Sequence, residues 1–571
     1  MQQPLAPGAV VDKIWLKNYP PGVPAEIDVN ECESLQHLFD GACRQYAAKP
    51  AFSNMGRTLT YAEVDAAAER FGAWLQNEAG MKKGDRLAIM MPNLLQYPIA
   101  IFGALRAGLT IVNTNPLYTH RELVHQLNDS GASAIVIFDG AAATLAEAMP
   151  DTPKLKHVIV TGVGDLLGFP KGAIVNFALR HVKKMVPAWN IPGAHSFTDV
   201  VARGGSLKLD KVPLGHDDIA FLQYTGGTTG VSKAAILTHR NLIANALQCV
   251  AWMPSLRQLD PTVITALPLY HIFALTTNCL LFLFIGGHNV LITNPRDMKG
   301  FVKELARVKF TFITGVNTLY NGLLHTPGFE KIDFSTVMGA MGGGMAVQAA
   351  VSERWRKATG RHLVQGWGLT ETSPVVTVNR LDETEFTGSI GYPMPSTELS
   401  VRDDDGNELP IGQVGELCAR GPQVMSGYWN RPDETAKVML PGGWLRTGDI
   451  GRMDEKGLSY IEDRKKDMIL VSGFNVYPNE VEGVVAKMPQ VREVAAVAQN
   501  DERSGEVVAL FVVKNDPTLT AEQIIEFCRG DLTGYKVPKF IYFRDELPKT
   551  NVGKILRRDL RDELRKQHPA S

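Results

Sequence analysis

The sequence has no excess of charge of either sign. Its 571 residues include 59 Lys and Arg against 60 Asp and Glu, so the formal net charge is −1. A protein that binds nucleic acid through its overall charge needs a basic field, and this composition provides none. Apolar residues make up 45% and charged residues 21% of the chain. This composition excludes a largely disordered chain, because disorder needs low hydrophobicity and high net charge.

Long hydrophobic runs are also missing. The most apolar stretches are residues 94–112, which Gln96 and Arg106 interrupt, and residues 279–287. A transmembrane helix needs about 20 consecutive apolar residues, so we expect no membrane-spanning segment. The first 15 residues lack the charged start, apolar core and small-residue cleavage site of a signal peptide. We therefore expect no signal peptide, and the cysteine usage described next favours a cytoplasmic protein.

Cysteine is scarce, and its spacing matches no known framework. The six cysteines lie at positions 32, 43, 249, 279, 418 and 528, without a Cys-x-x-Cys pair. This spacing fits neither a metal site nor the disulfide pattern of a small secreted domain. We expect reduced, mostly buried thiols. The chain also lacks internal repeats and low-complexity segments.

What is present is a regular alternation of helix-like and strand-like segments. Up to about residue 200, and again over residues 263–365, strand patterns are separated by helical patterns, which is typical of parallel sheets covered by helices. From about residue 389, short alternating strands with Gly and Pro turns predict a small barrel or antiparallel layer. The end of the chain returns to α+β patterning. The sequence therefore predicts an α/β protein of several subdomains.

The densest chemical signal is the segment Tyr-Thr-Gly-Gly-Thr-Thr-Gly-Val-Ser-Lys at residues 224–233. Inward-pointing backbone N–H groups, threonine hydroxyls and a lysine charge can together wrap a polyphosphate. The segment follows a strand pattern at 219–222 and precedes a helix pattern at 241–251. It is not a Walker loop, because two residues separate the last glycine from the lysine. The predicted phosphate ligands are Thr225, Gly226, Gly227, Thr228, Thr229, Gly230 and Lys233.

Four later segments follow this loop along the chain. They are Gly-Trp-Gly-Leu-Thr-Glu at 366–371, Trp-Leu-Arg-Thr-Gly-Asp at 444–449, Asp-Arg-Lys-Lys-Asp at 463–467 and Pro-Lys-Thr-Asn-Val-Gly-Lys at 548–554. Together with the loop they resemble the motifs of the adenylate-forming superfamily, which includes the acyl-CoA synthetases. The resemblance covers essentially the whole chain. It implies two half-reactions, in which an acid and ATP give acyl-AMP and pyrophosphate, and a thiol then displaces AMP.

The resemblance assigns nucleotide and metal contacts to these motifs. Asp449 would accept hydrogen bonds from both ribose hydroxyls, and Arg464 would reach the ribose or the α-phosphate. Trp367 stands where the family usually has Tyr and would stack on adenine. Glu371, with Thr225, would hold Mg²⁺. The remaining predicted nucleotide contacts are Gly342, Gly343, Gly344, Gly366, Gly368 and Thr370.

The predicted catalytic residues are Lys554, Glu371 and His271. Joining a carboxylate to the α-phosphate of ATP brings two anions together, and a lysine that touches both lowers their repulsion and stabilises the developing charge. The resemblance gives this part to Lys554. It places His271, which precedes an apolar stretch that runs to Ile285, beside the carboxylate of the acid.

The resemblance also implies two domains that move relative to each other. A large N-terminal AMP-binding and acyl-binding domain, with parallel sheets, helices and a small β-barrel, would cover residues 1–465. A small mobile α+β domain with the catalytic lysine would cover residues 466–571. The hinge would lie near Lys466, and rotation would bring the segment around Gly473 to the thiol step. The implied cofactors and co-substrate are ATP, Mg²⁺ and CoA.

The acid is predicted by family resemblance alone. Residues 443–469 resemble the signature of fatty acyl-CoA ligases, and residues 221–224 and 266–275 look close to bacterial long-chain members. A peptide-synthetase module would be followed by a carrier domain, yet only 17 residues follow Lys554, which favours CoA as acceptor. The alternatives are a ligase for medium-chain or aryl acids and a non-catalytic acyl- or nucleotide-binding protein. A kinase-like enzyme is disfavoured by the loop type.

One further segment suggests a surface role. Residues 166–198 contain no Asp or Glu. At helical spacing they place an apolar face opposite a polar one: Ile174, Phe177, Ala178, Val182, Met185 and Val186 against Asn176, Arg180, Lys183 and Lys184. Such a helix either packs on its own domain or lies transiently on an anionic membrane. The predicted partners are fatty acid, ATP and CoA, with peripheral contact at the inner membrane face as a hypothesis and a monomer or homodimer as the assembly.

Overall fold

Four β-sheets organise the chain. The computed structural model describes residues 12–225, 232–501, 503–550 and 552–567. Two large, mostly parallel sheets form the N-terminal part, a small antiparallel sheet follows, and a fourth sheet belongs to the C-terminal part. The predicted α/β class, with a large N-terminal part and a small α+β C-terminal part, is confirmed.

The seven-stranded sheet carries the strand that enters the phosphate loop. Its strands, in order across the sheet, are His195–Ser196, His157–Thr161, Ala134–Phe138, Arg86–Met90, Thr110–Asn113, Ile219–Tyr224 and Ala234–Thr238. Neighbours are parallel except for the last pair. The inner strand Ala134–Phe138 is buried along nearly its whole length. A parallel sheet covered by helices on both faces needs such continuously apolar strands.

The nine-stranded sheet holds the glycine-rich segments. Its strands, in order across the sheet, are Tyr392–Pro393, Val375–Val378, Leu363–Gly368, Gly339–Gly342, Phe312–Gly315, Thr262–Thr265, His288–Leu291, Pro50–Asn54 and Arg57–Thr60. Six neighbouring strands in the middle are parallel. The strand with Trp367 and the strand that leads into Gly343 therefore end at the same edge. The carboxyl ends of parallel strands are where open α/β sheets bind ligands.

The two smaller sheets lie further along the chain. The antiparallel sheet that the sequence predicts after residue 389 contains Glu398–Arg402, Gly415–Arg420, Trp444–Met453, Met439–Leu440 and Ser459–Arg464. The C-terminal sheet contains Phe474–Val476, Ile469–Val471, Gly505–Lys514, Val491–Asp501 and Phe540–Arg544. Each face of the C-terminal sheet has its own apolar core. The C-terminal unit is therefore packed as a body of its own.

Helices cover both large sheets and the C-terminal sheet. They span Leu35–Tyr46, Tyr61–Asn77, Gln96–Arg106, His120–Ser130, Ala142–Ala148, Lys171–Phe177, Phe197–Gly204, His239–Trp252, Ile272–Ala274, Leu281–Phe284, Met298–Leu305, Asn317–Leu324, Ala349–Thr359, Pro432–Val438, Pro478–Val485, Ala521–Asp531 and Arg557–Gln567. Local sequence explains several starts. Thr60 and Glu63, for example, form a capping box at the first turn of Tyr61–Asn77, which satisfies otherwise unpaired backbone N–H groups.

The segment after the phosphate loop differs from the sequence prediction. The structure places the strand Ala234–Thr238 between the loop and the helix His239–Trp252. This strand pairs antiparallel with Ile219–Tyr224, so the loop connects two neighbouring strands. The N-terminus of the helix therefore does not follow the loop directly. A phosphate in the loop would not lie at the positive end of the helix dipole.

The cysteine prediction is confirmed. All six cysteines are free and buried, and all six lie in the described part of the chain. Burial raises the pKa of several of these thiols, those of Cys249 and Cys279 to about 12. Among the described residues, no helix is both long and apolar enough to span a bilayer.

A buried ionic cluster joins the C-terminal helix to the predicted hinge. Arg557 donates to both carboxylate oxygens of Glu482 at 2.9 and 2.7 Å and to Asn479 Oδ1 at 2.6 Å. Its Nη1 lies 3.4 Å from Oδ1 of Asp463, a side chain that is almost wholly buried. Burial raises the pKa of Asp463 to about 6, while the nearby guanidinium of Arg557 lowers it. The cluster thus connects the last N-terminal strand to the C-terminal unit.

We expect Arg557→Ala to loosen the C-terminal unit. Removing one partner from a buried ion pair leaves an uncompensated charge and costs about 3 kcal/mol. Native-state hydrogen exchange should show that loss of opening free energy in Val491–Asp501 and Gly505–Lys514. Arg558→Ala is the matched control, because Arg558 is half exposed and faces Asp562 on the helix surface, where a pair contributes about 0.5 kcal/mol. Equal protection from hydrogen exchange in the two variants would contradict a stabilising role for the Arg557 cluster.

Candidate active site

A loop of the C-terminal unit carries Lys554 into a cleft of the N-terminal part. The loop is closed by its own hydrogen bonds, in which the N–H of Thr550 donates to the carbonyl of Lys554 at 2.7 Å and the N–H of Lys554 donates to Thr550 Oγ1 at 3.1 Å. The hydroxyl of Thr318, on the helix Asn317–Leu324, donates to the carbonyl of Gly553 at 2.8 Å. This contact ties the loop to the wall of the cleft.

Two glycines make this approach possible. A Cβ on Gly344 would lie 2.8 Å from Cε of Lys554, and a Cβ on Gly553 would lie 2.9 Å from Oγ1 of Thr318. Both glycines also have positive φ angles, +76° and +84°, which other residues rarely adopt. The sequence predicted that Gly342, Gly343 and Gly344 admit the nucleotide. In the structure Gly344 makes room for Lys554.

The surroundings of Lys554 contain charges of both signs. Burial and the nearby guanidinium of Arg464 lower the pKa of Lys554 to about 8, while Asp449 and Glu371 favour its charged form. The structure thus brings together residues that lie far apart in sequence. Because the two carboxylates favour the charged form, the ammonium group can attract an anion that enters the cleft.

His271 is a neutral imidazole at pH 7. Burial, and secondarily the charge of Lys554, lower its pKa to about 3. Its Nδ1 accepts the backbone N–H of Phe273 at 3.3 Å and caps the short helix Ile272–Ala274. With Nδ1 as the acceptor, the proton is assigned to Nε2. His271 therefore offers a hydrogen-bond donor without a charge, followed by the buried apolar residues that the sequence predicted.

Asp449 lies in the cleft with two partners. The indole N–H of Trp367 donates to Asp449 Oδ2 at 2.8 Å, and Nε of Arg464 lies 3.3 Å from Oδ1. Strand pairing explains the second contact, because Asp449 and Arg464 are opposite each other on neighbouring antiparallel strands. The sequence assigned all three residues to the nucleotide, and the structure brings them together.

Glu371 and Lys233 meet at a tyrosine that sequence reasoning missed. The hydroxyl of Tyr428 donates to Glu371 Oε1 at 2.7 Å, and the ammonium of Lys233 lies 4.2 Å from the centre of the Tyr428 ring. Lys233 also pairs with Glu434 at 2.8 Å. The lysine of the phosphate loop and the predicted metal-binding carboxylate are thus neighbours. Only the position of Tyr428 in the Gly/Tyr/Trp-rich segment 427–429 could have indicated its role.

The ends of the phosphate loop are anchored to each other. The N–H of Thr225 donates to the carbonyl of Lys233 at 2.9 Å, and the hydroxyl of Ser232 donates to the carbonyl of Thr225 at 2.6 Å. His125, on the helix His120–Ser130, contacts the carbonyl of Ser232 at 3.0 Å. The predicted ligands Gly226, Gly227, Thr228, Thr229 and Gly230 lie outside the described residues.

The other predicted nucleotide contacts have clear structural reasons. A Cβ on Gly368 would lie 1.8 Å from the carbonyl oxygen of Pro374, so this glycine is required by close packing. Gly366 lies in the same strand as Trp367, and Thr370 begins the short 3₁₀ turn that contains Glu371. Gly366 and Thr370 therefore lie next to Trp367 and Glu371 along the chain, and their contacts with a nucleotide remain predictions.

The two residues predicted for the hinge and the thiol step are placed differently. Lys466 is half buried, and burial followed by Arg464 lowers its pKa to about 8. The backbone carbonyl of Lys466 accepts from Arg561 at 3.1 Å. Gly473 lies in an exposed turn at φ +85°, with no atom within 4 Å of where its Cβ would be. The structure therefore brings Lys554 to the cleft and leaves the turn around Gly473 on the surface.

The donor set around Glu371 suits magnesium. Among the described residues, no group of three or more His, Cys, Asp or Glu side chains could hold a metal ion. Mg²⁺ does not need one, because it is usually bound by one or two carboxylates together with substrate phosphates and water. Glu371 is close to the anchored ends of the phosphate loop through Tyr428 and Lys233. The residues present fit a Mg²⁺ that arrives with ATP.

Family models cover most of the chain. Residues 39–429 match the model described as "AMP-binding enzyme", and residues 480–554 match "AMP-binding enzyme C-terminal domain". Among solved structures, ATP-bound MatB from Rhodopseudomonas palustris is 28% identical, with a TM-score of 0.80 over 94% of this chain and 100% of that one. The anthranilate CoA ligase AuaEII, 24% identical, shares the fold with a TM-score of 0.84 over 95% of this chain and 99% of that one.

Curated relatives match over nearly their full length. A long-chain-fatty-acid–CoA ligase of Escherichia coli O6:H1 is 57% identical over 97% of this chain and 98% of its own, and one of Haemophilus influenzae is 51% identical over 97% and 99%. A feruloyl-CoA synthase of an Amycolatopsis species is 33% identical over 89% and 94%. The chain therefore belongs to the AMP-binding, adenylate-forming enzymes and, within them, to the family of the long-chain fatty acid–CoA ligases.

Proposed function

We propose that this chain activates a long-chain fatty acid to its CoA thioester through an acyl-AMP intermediate, with release of AMP and pyrophosphate. The observation that carries the proposal is the position of Lys554 in the cleft that holds Asp449, Glu371 and His271. Full-length relatives at 51–57% identity bear the name of this activity. ATP, Mg²⁺ and CoA are the reactants that acyl-CoA synthetases of this family use.

The first step joins the acid to the α-phosphate. The carboxylate oxygen attacks phosphorus, and the bond to pyrophosphate breaks. Lys554 lowers the repulsion between the two anions and stabilises the charge that develops on the phosphoryl oxygens. His271, neutral at pH 7, donates from Nε2 to the acid and adds no charge that would bind the carboxylate too tightly. The acyl chain follows the buried apolar residues after His271.

The nucleotide is held by groups on both sides of the cleft. Asp449 accepts from the ribose hydroxyls, and Arg464 contacts the ribose or α-phosphate. Lys233 exchanges its pairing with Glu434 for the phosphates of ATP. Glu371 and Thr225 would hold Mg²⁺, which would neutralise phosphate charge when bound. Gly344 leaves the room that Lys554 occupies, and Gly342 and Gly343 remain predicted contacts of the adenine.

The second step needs a different arrangement of the C-terminal unit. We propose that residues 466–571 rotate about Lys466 as one body, which withdraws Lys554 and brings the turn at Gly473 to the cleft. The separate cores on the two faces of the C-terminal sheet support a rigid rotation. The thiol of CoA then attacks the acyl carbonyl, and AMP leaves. Ordering the two steps by a domain rotation keeps the lysine away from the thiol reaction.

Activation of an aryl acid is the second candidate. The feruloyl-CoA synthase relative supports it. The long-chain acid is favoured because the relatives that bear that name are 51–57% identical to this chain, whereas the feruloyl-CoA synthase is 33% identical.

Product analysis tests the function directly. Purified protein with ATP, Mg²⁺ and CoA is given acids from two to eighteen carbons together with benzoate and ferulate. We expect AMP, pyrophosphate and acyl-CoA, with the highest kcat/KM for long chains. Release of ADP would indicate phosphoryl transfer. Absence of turnover would indicate a binding protein, and a preference for the aromatic acids would favour the second candidate.

The Lys554→Ala variant separates the two half-reactions. We expect ATP–pyrophosphate exchange to fall by about 10²–10³-fold, the usual effect of losing one preorganised electrostatic donor. Conversion of supplied acyl-AMP and CoA to acyl-CoA should change far less. Lys549→Ala is the matched control, because Lys549 lies in the same loop but pairs with Glu493 at 2.8 Å. Wild-type exchange in Lys554→Ala would remove Lys554 from the mechanism.

The pH profile tests the charge on Lys554. Its pKa is lowered, chiefly by burial, to about 8, so the ammonium is present below that pH and lost above it. We expect kcat/KM for adenylation to fall about tenfold per pH unit above about pH 8. Lys554→Arg should move this decrease in kcat/KM to higher pH, because a guanidinium stays charged. Lys466→Arg is the comparison, since Lys466 has a similar pKa. A decrease that moves only in Lys466→Arg contradicts the prediction.

We also propose that the enzyme works in the cytoplasm and meets the inner face of the membrane through the segment 169–185. The helix Lys171–Phe177 continues as one π-helical turn to Val182. Its polar side faces the protein, since Asn176 bonds Asp165 and Arg180 pairs with Asp139. Its apolar side faces outward: Phe169, Ile174, Phe177, Val182 and Met185 are 57–94% exposed. An outward apolar face beside the exposed Lys183 and Lys184 suits an anionic lipid surface.

Vesicle flotation tests this surface. The double variant Lys183→Gln/Lys184→Gln keeps the Arg180–Asp139 pair. We expect it to bind phosphatidylglycerol vesicles about 30-fold more weakly, since each lysine near such a surface contributes about 1 kcal/mol. Val182→Ser should weaken binding at all salt concentrations, whereas the lysine effect should fade at high salt. Activity on a water-soluble short acid is the control. Flotation equal to wild type in both variants would refute the membrane contact.

A further inference from the structure

Trp367, which stands where the resemblance places a tyrosine, uses its indole N–H to hold a carboxylate of the site. It lies in the strand Leu363–Gly368 and donates its indole N–H to Asp449 Oδ2 at 2.8 Å. Trp367 is 7% and Asp449 4% exposed. A charge-assisted hydrogen bond between buried groups is strong, because water does not compete for either partner.

This bond controls the orientation of the carboxylate. The indole has one N–H and no acceptor, so its direction is set by the packing of the ring. The other Asp449 oxygen lies 3.3 Å from Nε of Arg464. Arg464 is the last residue of the strand Ser459–Arg464, just before the predicted hinge, and its side chain is nearly half exposed. Trp367 and Asp449 both lie before the hinge. The Trp367 bond therefore does not depend on where the C-terminal unit lies.

We propose that Trp367 is a positioning residue, which orients Asp449 toward the ribose hydroxyls of ATP and makes nucleotide binding depend on both hydroxyls. This inference rests on the proposed function, since it needs ATP as the substrate. A carboxylate has about four acceptor positions, and the contacts with Trp367 and Arg464 leave room for a diol. Fixing the carboxylate in advance saves the entropy of ordering it when the nucleotide binds.

The alternative role of Trp367, stacking on adenine, makes a different prediction. Stacking involves the ring face and the base, so its loss would weaken all adenine nucleotides by the same factor whatever their sugar. Positioning of Asp449 involves the N–H and the ribose, so its loss would weaken only nucleotides that carry the hydroxyls. Trp367→Phe keeps an aromatic face and removes the N–H.

The experiment measures the Kd of ATP and of 2′,3′-dideoxy-ATP by calorimetry, with Mg²⁺ and without acid. We expect Trp367→Phe to weaken ATP about tenfold and dideoxy-ATP less than about twofold. The ratio of the two constants within one variant is unaffected by a fraction of misfolded protein. Asp449→Asn should reduce the same ratio, and the double variant should be no worse than Asp449→Asn alone, because coupled residues are not additive.

Each outcome is informative. Equal weakening of both nucleotides in Trp367→Phe assigns the residue to stacking and overturns the proposal. Unchanged binding of both nucleotides also overturns it, as does additivity with Asp449→Asn. Failure of the wild-type protein to bind ATP would instead contradict the proposed function, so the two failures are distinguishable.

Discussion

The ammonium group of Lys554 lies where two separately packed units meet, among two carboxylates, a guanidinium and an imidazole. Burial works against its charge, and Asp449 and Glu371 work in favour of it. The balance exists only while the C-terminal loop is seated in the cleft. The position of the loop depends on the absence of side chains at Gly344 and Gly553 and on the hydrogen bond from the Thr318 hydroxyl to the carbonyl of Gly553. Small changes at backbone positions far apart in sequence would therefore displace the same charge.

The contacts of Arg557 are compatible with the proposed rotation of the C-terminal unit. Its short bonds to Glu482 and Asn479 lie within the C-terminal unit. Its contact with Asp463, which crosses the predicted hinge, is longer at 3.4 Å. A rotation about Lys466 can keep the short bonds and rearrange the long one. The same residue thus holds the C-terminal unit together, and it would contribute little resistance to the proposed rotation.

Much of the fold and part of the site could be predicted from the sequence. Continuous apolar strands such as Ala134–Phe138 predict parallel sheets, because the period of burial is local information. Asp449, Arg464 and Lys554 lie in recognisable motifs. The strand Ala234–Thr238 was missed because five residues next to a helix carry a weak periodic signal. Tyr428 was missed because its role depends on a contact with Glu371, 57 positions away.

Contacts across long sequence separations account for most of what was not predictable. The bond between Trp367 and Asp449 joins positions 82 residues apart, and neither local pattern indicates it. The outward direction of the apolar face near Phe177 is another example. The spacing of the residues predicts two faces, but which face packs on the protein depends on Asp139, in a 3₁₀ turn, and on Asp165.

The burial of all six cysteines has a consequence for an enzyme whose co-substrate is itself a thiol. Thiol–disulfide exchange needs an accessible thiolate. In this protein the cysteines are buried and several of their thiols have raised pKa values. A disulfide form of the co-substrate therefore finds no accessible cysteine thiolate on the folded chain with which to exchange.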